Sequence, residues 1–248
     1  MDSIWFFIGI GFLAQMIDGA LGMAYGVTSN TLLLSVGIPP VISSASVHFA
    51  EVFTTLISGF SHFRLGNVDK NLLKKLVIPG IVGGVLGAYI LVNIKGSLIK
   101  PFIGIYLLIM GIRIIYKVFT LSRKRKELIV QRRHFSILAL VGGFFDAIGG
   151  GGWGPIVTST LVSDGKNPRK TIGSVNAAEF FVTVSEVVAF LAMASQFNWT
   201  VIAGLIIGGC IAAPMAALMT KKIPLKALMG TLGVVICLLS IRNIYSIF

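Results

Sequence analysis

The sequence predicts an all-α polytopic membrane protein made of two homologous repeats. Three observations carry that reading. The 248 residues are 55% hydrophobic and only 12% charged, with a mean hydropathy of +0.91, where a soluble domain carries about 25% charged residues. The apolar residues fall into eight blocks, each long enough for a span of ~20 residues or for a broken pair of shorter helices. The two halves of the chain also repeat one another. This composition argues against a soluble enzyme, a nucleic-acid binder or a disordered chain. The net charge of +12 does not point to nucleic acid, because the basic residues sit between the apolar blocks, as the positive-inside bias of membrane proteins places them.

The blocks run over 3–35, 41–63, 72–93, 98–119, 134–163, 170–195, 199–219 and 224–247. The chain opens without a basic n-region and carries Asp2, so the first block reads as a retained helix rather than a cleaved signal. The strongly charged stretch 117–133, with RKRKE at 123–127, divides a first membrane repeat at 1–116 from a second at 134–248 and reads as a basic cytoplasmic linker. Cys210 and Cys237 both lie in apolar segments and are expected to be free thiols.

A shift of 128 residues aligns the halves without a gap from Asp18 to Thr55. Asp18 falls on Asp146, Tyr25 on Trp153 and Gly26 on Gly154, and SVHFAEVFTT at 46–55 matches SVNAAEFFVT at six of ten positions. Repeats of this kind are the signature of transporters built on pseudo-symmetry. The first and fifth blocks are each interrupted, by DGALGMAYG at 18–26 and DAIGGGGWGP at 146–155. Such runs cannot continue a helix, since glycine costs ~1 kcal/mol and proline ~3 kcal/mol against alanine. Each half is therefore expected to open with two short helices around a break. If these pairs turn back to their own side, the Lys and Arg count divides 17 against 3; if they cross, it divides 12 against 8. The sharper division favours inverted repeats, each a re-entrant pair plus three transmembrane helices, with both termini outside.

Five of the nine acidic residues lie within apolar segments: Asp18, Glu51, Asp146, Glu179 and Glu186. A buried charge in a bilayer costs at least ~2.5 kcal/mol, so these are the candidate ion-coupling residues. For Asp18 and Asp146 a cap on the short helix after each break is an equally good role. His48, Glu51, Thr55, Ser58 and His62 share one helical face, and Asn176, Glu179, Thr183 and Glu186 share the matching one. These stripes suit a substrate or proton path, or interhelical hydrogen bonds that glue the bundle. Glu179, beside Asn176 and Glu186, is expected to be the stronger proton carrier.

A half-helix N-terminus presents free N–H groups and a partial positive charge, so two such ends can hold a small anion without Lys or Arg. The expected substrate site takes Tyr25, Gly26, Ser29 and Asn30 from the first break and Gly152, Trp153, Gly154 and Thr158 from the second. Ser46 and His48, with Ser174 and Asn176, complete it from the following spans. Tyr25 and Trp153 would wall the pocket, or serve as interfacial anchors or packing. No Walker motif, His/Cys metal spacing or triad pattern is present, so neither enzyme activity nor a cofactor is expected.

The duplicated glycine break, the SVN-AAEFF segment at 174–181, the basic linker and the eight apolar blocks resemble the TauE/SafE family of sulfite and organosulfonate exporters, also called the toluene sulfonate uptake permeases. The likeness covers nearly the whole chain and is strongest at 11–69 and 140–190. It implies a multi-pass protein of the prokaryotic inner membrane that moves a small sulfur-containing oxyanion, with proton coupling as an expectation. The first half departs from the pattern, reading GALGMAYG against GGGGWGP. An uncoupled anion channel and a non-transporting membrane subunit are the alternatives.

Overall fold

A computed structural model describes residues 3–21, 23–120, 132–164, 166–219 and 225–245. Most of the basic linker expected at 117–133 lies outside these residues. The described chain is helical and contains no strand. Helices α1 (Ile4–Leu21), α2 (Tyr25–Ser35), α3 (Pro40–Arg64), α4 (Lys70–Asn93) and α5 (Gly96–Thr120) form the first half. The second half holds α6 (Arg132–Gly149), a π-helical turn (Gly154–Thr158) continued by α7 (Ser159–Ser163), then α8 (Pro168–Met193), α9 (Trp199–Met219) and α10 (Leu225–Tyr245). Both interrupted blocks are thus two helices around a break.

Local chemistry sets several of the boundaries. Proline begins α3 and α8, where its missing N–H costs nothing. Asp69 caps α4 by accepting from Asn71 N at 2.8 Å and Leu72 N at 3.2 Å, and Asn167 caps α8 through Lys170 N. Pro40–Arg64, Lys70–Asn93, Gly96–Phe119 and Lys170–Met193 are long and apolar enough to cross a membrane by length and composition, and shorter apolar helices accompany them. Their outer faces carry large apolar side chains such as Ile78, Phe102 and Phe119, about 70% exposed or more. A soluble protein would bury such a belt; a bilayer covers it.

The helices pack in reciprocal pairs across the halves. Helix α1 lies on α9 as α6 lies on α4, α3 meets α9 as α8 meets α4, and α3 pairs with α8 and α5 with α10. Each relation maps onto its partner when the repeat-equivalent helices are exchanged. The closest crossings use small residues. A β-carbon on Gly83 or Gly143 would strike the facing backbone of the α4–α6 pair, and one on Gly11 or Gly208 that of the α1–α9 pair. In a bilayer such close approach, rather than apolar burial, is what holds helices together.

The two breaks are made differently. The second uses Gly150 and Gly151 at φ of 62° and 144°, where glycine carries no steric penalty. The first bends at Ala24, with φ 109° and ψ 5°. A residue with a β-carbon is strained there, which is the structural face of the glycine-poor first motif.

Candidate functional site

The breaks of the two halves meet. A β-carbon on Gly26 would lie 2.5 Å from Gly151 Cα and 2.8 Å from Glu51 Oε1, so the two turns touch backbone to backbone. Asn30 ties them further: its amide donates to Gly149 O and accepts from Ser43 Oγ. Beside this junction lies a cavity walled by Ala24, Tyr25, Gly26 and Val27 of one break and Gly151, Gly152, Gly154 and Pro155 of the other. Glu51, Thr54 and Thr55 of α3 and Glu179 of α8 close it, with Asp18 and Asp146 at the ends of α1 and α6. On the scale where one water needs roughly 10–15 Å3, its volume is about 20 Å3.

The chemistry of this cavity is acidic. Four carboxyl groups line it, and no Lys or Arg does among the described residues. Asp18 and Asp146 play equivalent parts. Asp18 Oδ1 accepts from Tyr25 N at 3.3 Å, while Asp146 Oδ1 accepts from Gly152 N at 2.5 Å and Trp153 N at 2.8 Å. Both therefore cap the half-helix that follows their break. In the second half this uses most of the donors an anion would want. Pro155 has no N–H, and Ile156 N donates to Gly152 O.

A second polar cluster adjoins the cavity between α3, α6 and α8. His48 Nε2 lies 2.8 Å from Glu186 Oε2 and 3.8 Å from Asp146 Oδ2, and all three side chains are buried. His48 Nδ1 is 2.6 Å from the Ser44 carbonyl. Glu186 packs against Gly84 of α4, where any side chain would collide with it. The repeat-equivalent pair on the other side is Asn176 and Ser58, with Asn176 Nδ2 donating to Ser58 Oγ at 3.0 Å. One side of the pseudo-symmetric bundle is thus ionisable and the other neutral.

The expected site residues divide accordingly. Tyr25, Gly26, Gly152 and Gly154 line the cavity with Asp18, Glu51, Asp146 and Glu179. His48 and Glu186 stand behind it. Ser29, Ser46 and Thr158 are buried but do not line it. Trp153 is fully buried in the core, its Nε1 donating to Val175 O at 3.1 Å, so it packs rather than anchors at an interface. Tyr25 is buried too, its hydroxyl donating to Leu205 O. Ser174 faces away: it accepts from Asp69 N and donates to Lys170 O, joining α8 to the start of α4.

Tyr106 escaped the sequence reading. Its hydroxyl donates to Gly151 O at 3.0 Å and its ring stacks on Phe145, bracing the glycine turn from α5. Its only signal was a polar tip in the otherwise apolar stretch 101–112. Thr54, which lines the cavity beside Glu51, was likewise not singled out.

The family described as Sulfite exporter TauE/SafE matches residues 7–243. The chain belongs to the TauE/SafE family. It is 44% identical over 252 residues to the probable membrane transporter protein YtnM of Bacillus subtilis strain 168, covering 98% of this chain and 83% of that protein. No solved structure matches it. A TauE/SafE transporter is a multi-pass membrane protein, and the apolar belt and long helices of this chain accord with that.

Proposed function

We propose that this chain is a secondary transporter of the cell membrane that moves a small sulfur-containing anion, of the sulfite or organosulfonate type, together with protons. One observation carries the reading: the broken helices of both halves converge on a single cavity whose charged groups are all acidic. Broken helices at the meeting point of repeats are where secondary transporters bind substrate.

The acidic lining supplies the coupling. An anion 4 Å from one carboxylate is repelled by about 4 kcal/mol at an effective dielectric constant of 20. Four such groups exclude it unless they carry protons. Protonation of Glu51 and Glu179 removes their share of the repulsion. Protonation of Asp18 or Asp146 also weakens their hold on the half-helix N–H groups, which then turn to the anion. Loading thus requires protons, and release of protons on the other side expels the substrate.

The family's designation, sulfite exporter, supports the substrate class. The reciprocal packing supports two membrane repeats, 1–116 and 134–248, joined by the linker at 117–133 and inverted with respect to each other. Labelled sulfite uptake into proteoliposomes, with and without an imposed pH gradient, is the test. Gradient-driven accumulation is expected. Equilibration alone would leave an uncoupled anion channel, and no flux would leave a membrane protein that does not transport this anion class.

A further inference from the structure

We propose that, in the substrate-free state and in competition with the protons that load the anion, His48, Glu51, Asp146 and Glu186 bind one divalent cation of the class that accepts both imidazole and carboxylate ligands, such as Zn2+ or Mn2+. One ligand atom each from His48, Glu51 and Asp146 lie within 4.8 Å of one another. Glu186 Oε2 lies 2.8 Å from the same His48 nitrogen. Ligands around a tetrahedral ion with bonds of about 2.1 Å stand about 3.4 Å apart, so His48, Glu51 and Asp146 need side-chain shifts of about an ångström to close around it.

The histidine is oriented for this work. A carbonyl only accepts, so the 2.6 Å contact with Ser44 O puts the proton on Nδ1 and presents Nε2 to the cluster. Ser44 is itself fastened to α6, its hydroxyl donating to Ala147 O at 2.5 Å. Asp146 is held in the same way: Oδ1 is committed to two backbone N–H groups, while Oδ2 makes no hydrogen bond. Glu51 Oε2 and Glu186 Oε1 are equally without a hydrogen bond, and all three residues are at least 96% buried. Buried acceptors are costly without a partner, and three carboxylates around one imidazole call for positive charge. One nitrogen and several carboxylate oxygens suit Zn2+ or Mn2+ better than Mg2+ or Ca2+. The repeat-equivalent positions of His48 and Glu186 hold Asn176 and Ser58, already bonded to each other. One site per chain follows, not two.

The site is tested on the purified full chain in detergent, stripped with chelator and titrated calorimetrically with ZnCl2 and MnCl2 without substrate, so the outcome does not depend on what is transported. One saturable site per chain is expected, weakened at least tenfold in His48→Ala and in Glu186→Gln and unchanged in Asp164→Asn. Co2+ should give visible ligand-field bands that His48→Ala abolishes. Should a variant fail to remain monodisperse, the Co2+ spectrum and stoichiometry of the parent protein decide. No saturable binding by monodisperse parent protein overturns the proposal. So do two equal sites per chain, or binding that survives His48→Ala.

Discussion

The unequal halves make a prediction about stability. His48–Glu186 and Asn176–Ser58 are repeat-equivalent pairs between α3 and α8, at 2.8 Å and 3.0 Å. Removing one partner from a fully buried ion pair costs about 3–5 kcal/mol. The lower end applies here, because His48 can shed its proton. Removing one side of a neutral interhelical hydrogen bond in a bilayer costs on average about 0.6 kcal/mol. For a chain of 150–250 residues, 1 kcal/mol shifts the melting temperature by roughly 2–4 °C. Glu186→Ala should therefore melt roughly 6–12 °C below the parent, and Ser58→Ala roughly 1–2 °C below it. Glu186→Ala also empties space beside Gly84, where a β-carbon would lie 2.7 Å from Glu186 Cγ. Glu186→Gln keeps that volume and should fall between the two. Reaction of a thiol dye with Cys210 and Cys237, both partly shielded free thiols, reports unfolding in detergent. A common scan rate is needed because such unfolding is a rate as much as an equilibrium. His48→Ala combined with Glu186→Ala should lose less than the sum of the singles. Equal shifts for Glu186→Ala and Ser58→Ala, or strict additivity in the double variant, would refute the ion pair as a structural element.

Three further outcomes are expected. Gly26→Val should abolish sulfite binding by calorimetry while the protein stays inserted and monodisperse, since its side chain would drive into Gly151 and Glu51; normal binding would put the substrate elsewhere. Glu179→Gln should retain counterflow exchange in proteoliposomes and lose accumulation driven by a pH gradient, and accumulation equal to the parent's would remove Glu179 from the coupling. In intact cells, with both native cysteines replaced, Gln196→Cys should be labelled from outside and Asn71→Cys protected. Both positions are exposed, and protection of Gln196→Cys would mean that the interrupted helix pairs cross the membrane once.

The eight apolar blocks, the two breaks and the duplication were legible in the sequence because each is written locally. A glycine run stops a helix wherever it lies, and Asp18 and Asp146 cap half-helices only seven residues away from their own positions. The acids of the cavity could also be named, because an ionisable residue in an apolar block is conspicuous. Their grouping could not. Helical spacing put His48 and Glu51 on one face, yet it carried no information on the rotation of α3 against α8 that sets His48 on Glu186 and Asn176 on Ser58. Trp153 shows the same limit, because a tryptophan at a helix break reads equally well as pocket wall, anchor or core.

The sequence by itself determined the class of solvent this protein lives in, its twofold construction and the places where its helices break. Those properties follow from composition, from self-similarity and from the backbone preferences of single residues. Only the tertiary structure decided that the two breaks touch and that Asn30 is spent on holding them together. It alone separated Ser174 from the cavity and placed one ionisable pair opposite one neutral pair. Most of these contacts join residues more than a hundred positions apart, and such distances are set by how helices cross at their glycines, which no local pattern encodes.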